Sequence, residues 1–176
     1  MTIYTLKVEL SQTPYDEGDG TWRVIEIKGS QTLDQLHRII FKAFGRWEHH
    51  LYSFYMSGDR RDASREYASP YLFEDEDFPL NSRPHNAKQT RLDELSLRLG
   101  QKFNYVFDYG DYWEHVIAVL SVSDESEVGR YPRVVERHGE SPPQYPRVPE
   151  NEYGLEDQEE AQPDPAKITH LFRPKE

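Results

Sequence analysis

The sequence predicts a single α+β domain with a mixed or antiparallel sheet and one main packed helix. Three observations lead to this fold class. Several short segments alternate apolar and polar residues as strands do, one segment has a long apolar stripe at helical spacing, and residues 101–122 form an aromatic hairpin. A chain of 176 residues is long enough for one domain with a sizeable core.

The N-terminal part of the chain predicts a hairpin followed by the main helix. Residues 4–10 and 22–27 read as strands, and a polar loop joins them. The helix is expected from Thr32 to Phe44, because Thr32 and Gln35 fit a capping box and Gly45 suits the helix end. Its buried stripe is predicted to contain Leu33, Leu36, Ile40, Ala43 and Phe44.

The remaining elements are predicted by weaker patterns. Residues 51–56 read as a third strand, residues 90–97 as a short helix with Leu92 and Leu95 inward, and residues 131–135 as a last strand. Between residues 57 and 88 we expect a long excursion in which residues 71–73 form a short strand. The domain is predicted to span residues 1–146, followed by an irregular, acidic, Pro-rich tail at 147–176 that is loosely ordered.

The aromatic hairpin carries an unusual density of titratable side chains. Gly110 and Asp111 suit a two-residue turn, which would place Tyr109 opposite Tyr112. In that register Asp108 shares a face with Trp113 and His115 and lies close enough to His115 to raise the pKa of its imidazole. A structural hydrogen bond that steadies the hairpin beneath Trp113 explains the same pattern.

Candidate functional residues follow from this hairpin and its neighbours. The catalytic candidates are Asp108 and His115. A metal site could use imidazole and carboxylate ligands, and its candidates are His50, Asp108, Asp111 and His115. The binding candidates are Trp22, His50, Asp111 and Trp113, although the size of the tryptophan rings favours aromatic packing in the core and at its rim. No motif predicts a cofactor.

Composition restricts the class of partner. The formal net charge is −11, which opposes sequence-independent binding to nucleic acid and to anionic membranes. The absence of cysteine rules out disulfides, thiolate metal sites and cysteine nucleophiles. No apolar run resembles a signal peptide or a membrane helix, so we expect a cytoplasmic protein without membrane contact.

Four segments resemble the plasmid pRiA4b open-reading-frame-three-like family. The most specific is residues 103–115, FNYVFDYGDYWEH, and the others are residues 22–23 with 32–37, residues 44–47 with 50–54, and residues 92–95. The resemblance covers roughly residues 2–143 and implies an α+β domain of unassigned biochemistry. Relatives often contain a Cys-Pro-Pro-Glu-Asp-Cys-Gly-Gly segment where this chain has Ser141-Pro142-Pro143-Gln144, so any thiolate metal site of relatives is lost here.

The order of elements also resembles a β-grasp, which is a likeness of fold only. Since no nucleophile, cofactor loop or metal motif stands out, we expect a non-enzymatic binding or adaptor module with a protein partner. One alternative is a small metal-assisted or Asp–His-assisted hydrolase centred on residues 108–115. Another is a nucleic-acid accessory protein of a mobile element, since some relatives are labelled as insertion-element passengers; the net charge opposes it.

Overall fold

The computed structural model describes residues 1–18, 20–74, 84–124 and 129–145. Its described part contains a single eight-stranded sheet in the order β5-β4-β3-β6-β7-β1-β2-β8. The strands are β1 (Ile3–Gln12), β2 (Trp22–Lys28), β3 (Tyr52–Tyr55), β4 (Glu66–Ala68), β5 (His85–Asn86), β6 (Lys102–Phe107), β7 (Trp113–Ser123) and β8 (Arg133–His138). Only β4 and β5 pair in parallel, so the sheet is mixed and the predicted α+β class is confirmed.

The helix α1 (Leu33–Ala43) packs on one face of the sheet. Its capping box is present, since Thr32 Oγ1 accepts from the Gln35 backbone and Gln35 Oε1 accepts from the Thr32 backbone. Gly45 follows the helix with φ of +68°, as a helix-ending glycine should. All five predicted stripe residues are buried, and they join the apolar residues of β1, β2, β6 and β7 in one core. No helix in the described part of the chain is long and apolar enough to span a membrane.

The excursion after β3 is more structured than its sequence predicts. It contains β4 and β5, both too short to show an alternating pattern, which extend the sheet beyond β3. The predicted strand at residues 71–73 is wrong, because Pro70–Phe73 is a 3-10 helix that begins at a proline. The predicted short helix near residue 92 is a 3-10 turn, Leu92–Leu95, whose Leu92 is buried and whose Leu95 packs against the core. The tail at 147–176 lies outside the described residues.

The hairpin between β6 and β7 has a different register from the predicted one. Phe107 pairs with Trp113 and Tyr105 with His115, so the connection is the longer loop 108–112 and not a Gly110-Asp111 turn. The slip of one residue reverses the faces of β7 relative to β6. Trp113 and His115 therefore share the helix-facing side with Phe107 and Tyr105, where all four are buried. The burial of these rings outweighs the turn preference of the Gly-Asp pair.

Candidate functional site

Asp108 shapes the tip of the hairpin with its own side chain. Its backbone is left-handed, with φ of 60°, a conformation that aspartate tolerates better than most residues. Oδ1 accepts hydrogen bonds from the backbone N–H groups of Gly110 at 3.0 Å and Asp111 at 3.2 Å. Oδ2 lies 3.4 Å from Nε2 of His50. The carboxylate therefore faces His50, and not His115 as the sequence predicts.

His50 links the hairpin to the C-terminal part of the described chain. Its Nε2 is hydrogen-bonded to the hydroxyl of Tyr145 at 2.9 Å, and its side chain remains 32% exposed. Burial and then a hydrogen bond to the carboxylate of Glu48 raise the pKa of Tyr145 above its ordinary value. The result is a polar cluster of carboxylate, imidazole and phenol at the molecular surface.

Residues 139–145, which we call the strap, follow β8 without forming a helix or strand. Backbone carbonyls of the strap accept hydrogen bonds from side chains of the domain. The Glu140 carbonyl accepts from Thr21 at 2.9 Å, and the Gln144 carbonyl accepts from the Tyr15 hydroxyl at 3.3 Å. We call the surface beneath the strap the strap groove; it is formed by Tyr15, Arg46, Trp47, Glu48 and His50.

Gln144 is the anchor of the strap and is fully buried, with 0% exposure. Its Oε1 accepts from the backbone N–H groups of Trp47 at 2.9 Å and Glu48 at 3.1 Å. Its Nε2 donates to the Glu48 carbonyl at 3.0 Å. The amide thus pairs with three backbone groups of one short segment, which fixes both its position and its orientation.

Arg46 lies beneath the strap beside the hairpin. Its Nη1 donates to the Pro142 carbonyl at 2.7 Å, and its guanidinium carbon lies 3.6 Å from the centre of the Trp113 ring. The Tyr15 ring meets Trp113 edge-on with centroids 6.1 Å apart. Burial lowers the pKa of Arg46 to about 10, so the side chain stays protonated at neutral pH.

His115 belongs to the core, which corrects its predicted pairing with Asp108. Its ring contacts Phe44 edge-on at 4.7 Å and lies 5.3 Å from the Tyr105 ring. Neither ring nitrogen makes a hydrogen bond of normal geometry to a described residue. Burial, assisted by the charge of Arg46, lowers its pKa to about 3, although backbone groups of Trp113 and Tyr105 oppose the shift. The imidazole is therefore neutral, whereas pairing with Asp108 predicts a raised pKa.

Of the remaining candidates, Asp111 lies near the strap groove and Trp22 lies on β2. Asp111 lies in the hairpin loop, where its charge acts on Tyr15 and Tyr145 and contributes to the raised pKa of each. Trp22 lies on β2 and stacks on His138 with centroids 5.2 Å apart. Within the described ranges, no cluster of three or more His, Asp or Glu side chains is arranged to hold a metal ion. Of the proposed metal ligands, His50 and Asp108 come together and His115 does not.

Three residues that hold the strap in place were not predicted from the sequence as functional residues. Arg46, Gln144 and Tyr145 are separated along the chain and belong to no chemical motif. A glutamine that follows two prolines and precedes a tyrosine is typical of an exposed linker. An arginine just after a helix is typical of an exposed surface residue. Arg46 and Gln144 are recognised only by their burial in the structure, because the local sequence does not indicate whether a polar residue is buried.

One comparison with known proteins shows the family, and another shows a solved structure of the same fold. One solved structure with the same fold is that of a protein of unknown function, MM3350, from Methanosarcina mazei Go1. It shares 18% sequence identity with a TM-score of 0.63, and the alignment covers 81% of this chain and 72% of that one. A comparison with curated proteins gives no significant match. The family model described as plasmid pRiA4b ORF-3-like protein matches residues 2–166, and the chain therefore belongs to that family.

Proposed function

We propose that this protein is a non-enzymatic, cytoplasmic binding module that holds a peptide segment of a protein partner in the strap groove. The observation that carries the proposal is the burial of Gln144, whose amide pairs with three backbone groups of residues 47 and 48. The strap is in effect a peptide ligand that the chain supplies to itself.

The groove binds its occupant in the way that peptide-binding domains bind theirs. Main-chain carbonyls of the occupant accept hydrogen bonds from Arg46 and Tyr15, and one side-chain socket selects glutamine. Such a division between main-chain affinity and side-chain specificity is common in peptide recognition. Pro142 and Pro143 restrict the free segment and so reduce the entropy lost on binding.

The charge of the chain favours a protein over other macromolecules as the partner. With a formal net charge of −11, the surface repels phosphate backbones and anionic lipid headgroups. A peptide segment is recognised through carbonyls and a neutral amide in this groove, which does not require a basic surface. We therefore propose a protein partner and not a nucleic acid or a membrane.

A labelled peptide with the sequence of residues 139–145 tests this function. In the full-length Gln144→Ala variant the strap loses its anchor, so the peptide should bind with saturation in fluorescence anisotropy. Binding to the native chain should be much weaker, because the strap competes at high effective concentration. A peptide with alanine at the position of Gln144 is the control ligand. Gln89→Ala, which alters an exposed glutamine elsewhere, is the control variant.

The experiment opposes the proposal in either of two outcomes. One is absence of peptide binding to the Gln144→Ala variant, provided that its melting curve shows a folded domain. The other is equal binding of the native chain and of the variant, because the strap would then not occupy the site that the peptide uses.

A hydrolase centred on His50 and Asp108 is the second candidate. It is favoured by the 3.4 Å contact between His50 Nε2 and Asp108 Oδ2, a pair in which the carboxylate could orient the imidazole as a general base. A panel of chromogenic ester and phosphoester substrates tests it, with added Zn²⁺ or Mn²⁺. The candidate requires turnover that disappears in both His50→Gln and Asp108→Asn.

A further inference from the structure

The side chain of Arg46 is buried, and at least three of its five N–H donors have no partner among the described residues. It is only 3% exposed, and its Nη1 donates to the Pro142 carbonyl. Neither Nε nor Nη2 has a hydrogen-bond partner among the described residues. Leaving a buried donor unpaired costs about 1–3 kcal/mol, and more for a charged group. A folded protein rarely carries such a cost without a reason.

The unused atoms form one edge of the guanidinium. The N–H bonds of Nε and Nη2 lie side by side in the plane of the group and point in nearly the same direction. Two parallel donors at this spacing match the two oxygens of a carboxylate, which accepts both in a bidentate pair. The strap supplies a single carbonyl oxygen to Nη1, so it leaves the bidentate edge empty.

No carboxylate of the described residues pairs with Arg46. Its charge interacts with Tyr105, Tyr15 and Arg23, and Arg23 repels it. Unpaired donors are concentrated nearby. Trp113 Nε1, under the guanidinium, and Trp47 Nε1, in the groove, have no hydrogen-bond acceptor among the described residues. The unpaired donors suit an occupant that brings oxygen atoms, and an anion at Arg46 would share the groove with the carboxylates of Glu48 and Asp108, which lie at Tyr145 and His50.

We propose that Arg46 is a specificity-determining residue that selects a partner segment with an Asp or Glu side chain beside the glutamine socket. This inference rests on the proposed function of the strap groove. The partner's carboxylate pairs with Nε and Nη2 of Arg46, while its backbone carbonyl takes the place of the Pro142 carbonyl on Nη1. The strap has prolines at both positions before Gln144 and therefore offers no carboxylate to Arg46. It competes for the groove without this ion pair, so an acidic segment can displace it.

Matched peptides test the inference in the full-length Gln144→Ala variant. The parent peptide has the sequence of residues 139–145, and two further pairs carry Glu or Gln at the position of Pro142 or Pro143. In at least one pair the Glu peptide should bind roughly tenfold more tightly than its Gln isostere, since charge-assisted hydrogen bonds are about twice as strong as neutral ones. Adding Arg46→Lys keeps the charge but removes the planar edge and the hydrogen bond from Nη1, so every peptide should bind more weakly while the preference for Glu over Gln disappears.

The NMR signal of the Arg46 Nε–H group gives a second readout that does not depend on affinity. It is assigned by its absence from the Arg46→Lys variant, and it should shift with the Glu peptide and stay in place with the Gln peptide. Equal binding of Glu and Gln peptides, with no shift, overturns this inference and leaves the proposed function standing. An ordered water already bound to the edge would give that result. Failure of every peptide to bind overturns the proposed function, and the inference with it.

Discussion

The helix-facing core and the strap groove both bury polar side chains, but they satisfy them differently. In the core, His37 Nδ1 is hydrogen-bonded to the Tyr105 hydroxyl at 2.7 Å, and the Tyr52 hydroxyl donates to Asp34 at 2.7 Å. In the groove, Arg46 has two donor nitrogens without a partner among the described residues. His115 in the core also lacks such a partner, but its imidazole is neutral, whereas the unpaired donors of Arg46 carry a positive charge, which costs more to leave unpaired.

The same contrast separates two buried arginines. Arg23 donates to the carbonyls of Ala43, Trp22, His138 and Gly139, and so ties β2 to the helix end and to β8. Arg46 has one carbonyl. A buried cation that donates to several carbonyls stabilises the fold. We therefore expect the removal of Arg23 to lower the free energy of unfolding more than the removal of Arg46.

The largest effect is expected in the core. Ile40→Ala should lower the free energy of unfolding by about 2–5 kcal/mol, because the side chain is 1% exposed and its loss leaves a cavity. In the groove, Trp47→Phe removes an unpaired donor and keeps a ring, so it should cost less than about 1 kcal/mol. Urea denaturation measures both. Equal losses of free energy of unfolding would show that the groove contributes as much to stability as the core.

Replacing each buried arginine with methionine tests the second contrast. Arg23→Met removes donors from four carbonyl oxygens and should lower stability by about 2–4 kcal/mol. Arg46→Met removes a buried charge with a single bond and should change stability by less than about 1 kcal/mol. Thermal melts of the two variants at neutral pH measure this difference. A larger loss for Arg46→Met would mean that Arg46 is structural.

Acid should destabilise the protein through the two histidines that are buried in its described part. Burial lowers the pKa of both His37 and His115 to about 3. An unfolded histidine titrates near 6.5, so between about pH 6.5 and 3 the unfolded state binds more protons and stability falls as pH falls. Each histidine contributes up to about 1.4 kcal/mol per pH unit within that window.

Leucine variants separate the two histidines. His115→Leu should reduce the pH slope and leave stability near pH 7 within about 1 kcal/mol, since neither ring nitrogen makes a hydrogen bond of normal geometry to a described residue. His37→Leu should reduce the slope similarly but cost about 1–3 kcal/mol near pH 7, because the buried Tyr105 hydroxyl loses its partner. Urea titrations between pH 4 and 7 measure both. An unchanged slope in either variant contradicts the assignment of a neutral, buried imidazole.

The smallest expected effect is at the strap. Tyr145→Phe removes the hydroxyl bound to His50 and should weaken strap attachment by about 0.5–1.5 kcal/mol without altering the global melt. Amide hydrogen exchange of Trp47 and Glu48, which donate to Gln144, reports the opening of the strap. Tyr71→Phe, at a side chain that is 64% exposed, is the control. A loss of global stability in Tyr145→Phe would contradict this prediction, because it would show that the strap unfolds together with the whole domain.

The helix could be predicted because its signals are local. Thr32, Gln35 and Gly45 lie within or next to the segment they delimit, and the apolar stripe has the helical period. The hairpin register could not be predicted in this way. A Gly-Asp pair suits a tight turn, but the register depends on which side chains the distant helix can bury, and Trp113 and His115 lie on its side.

The strap groove depends on contacts between segments that are far apart in sequence. Arg46 meets Pro142, His50 meets Tyr145, and Tyr15 meets Gln144. None of these pairs has a spacing or periodicity that a sequence pattern could detect. Two sequence candidates, His50 and Asp108, lie together near the groove; they were selected from the density of titratable groups around the hairpin, although the partner assigned to Asp108 was wrong.

The position of β1 has a consequence for how the chain is made. β1 lies between β2 and β7, and its pairing with β7 joins Ile3 to Ser123. During synthesis β1 can pair with β2 early, but its other edge stays open until residue 123 has left the ribosome. An open edge with alternating apolar side chains is prone to aggregate. Nascent or truncated chains that end before β7 should therefore need chaperone protection, whereas chains that include it close the sheet themselves.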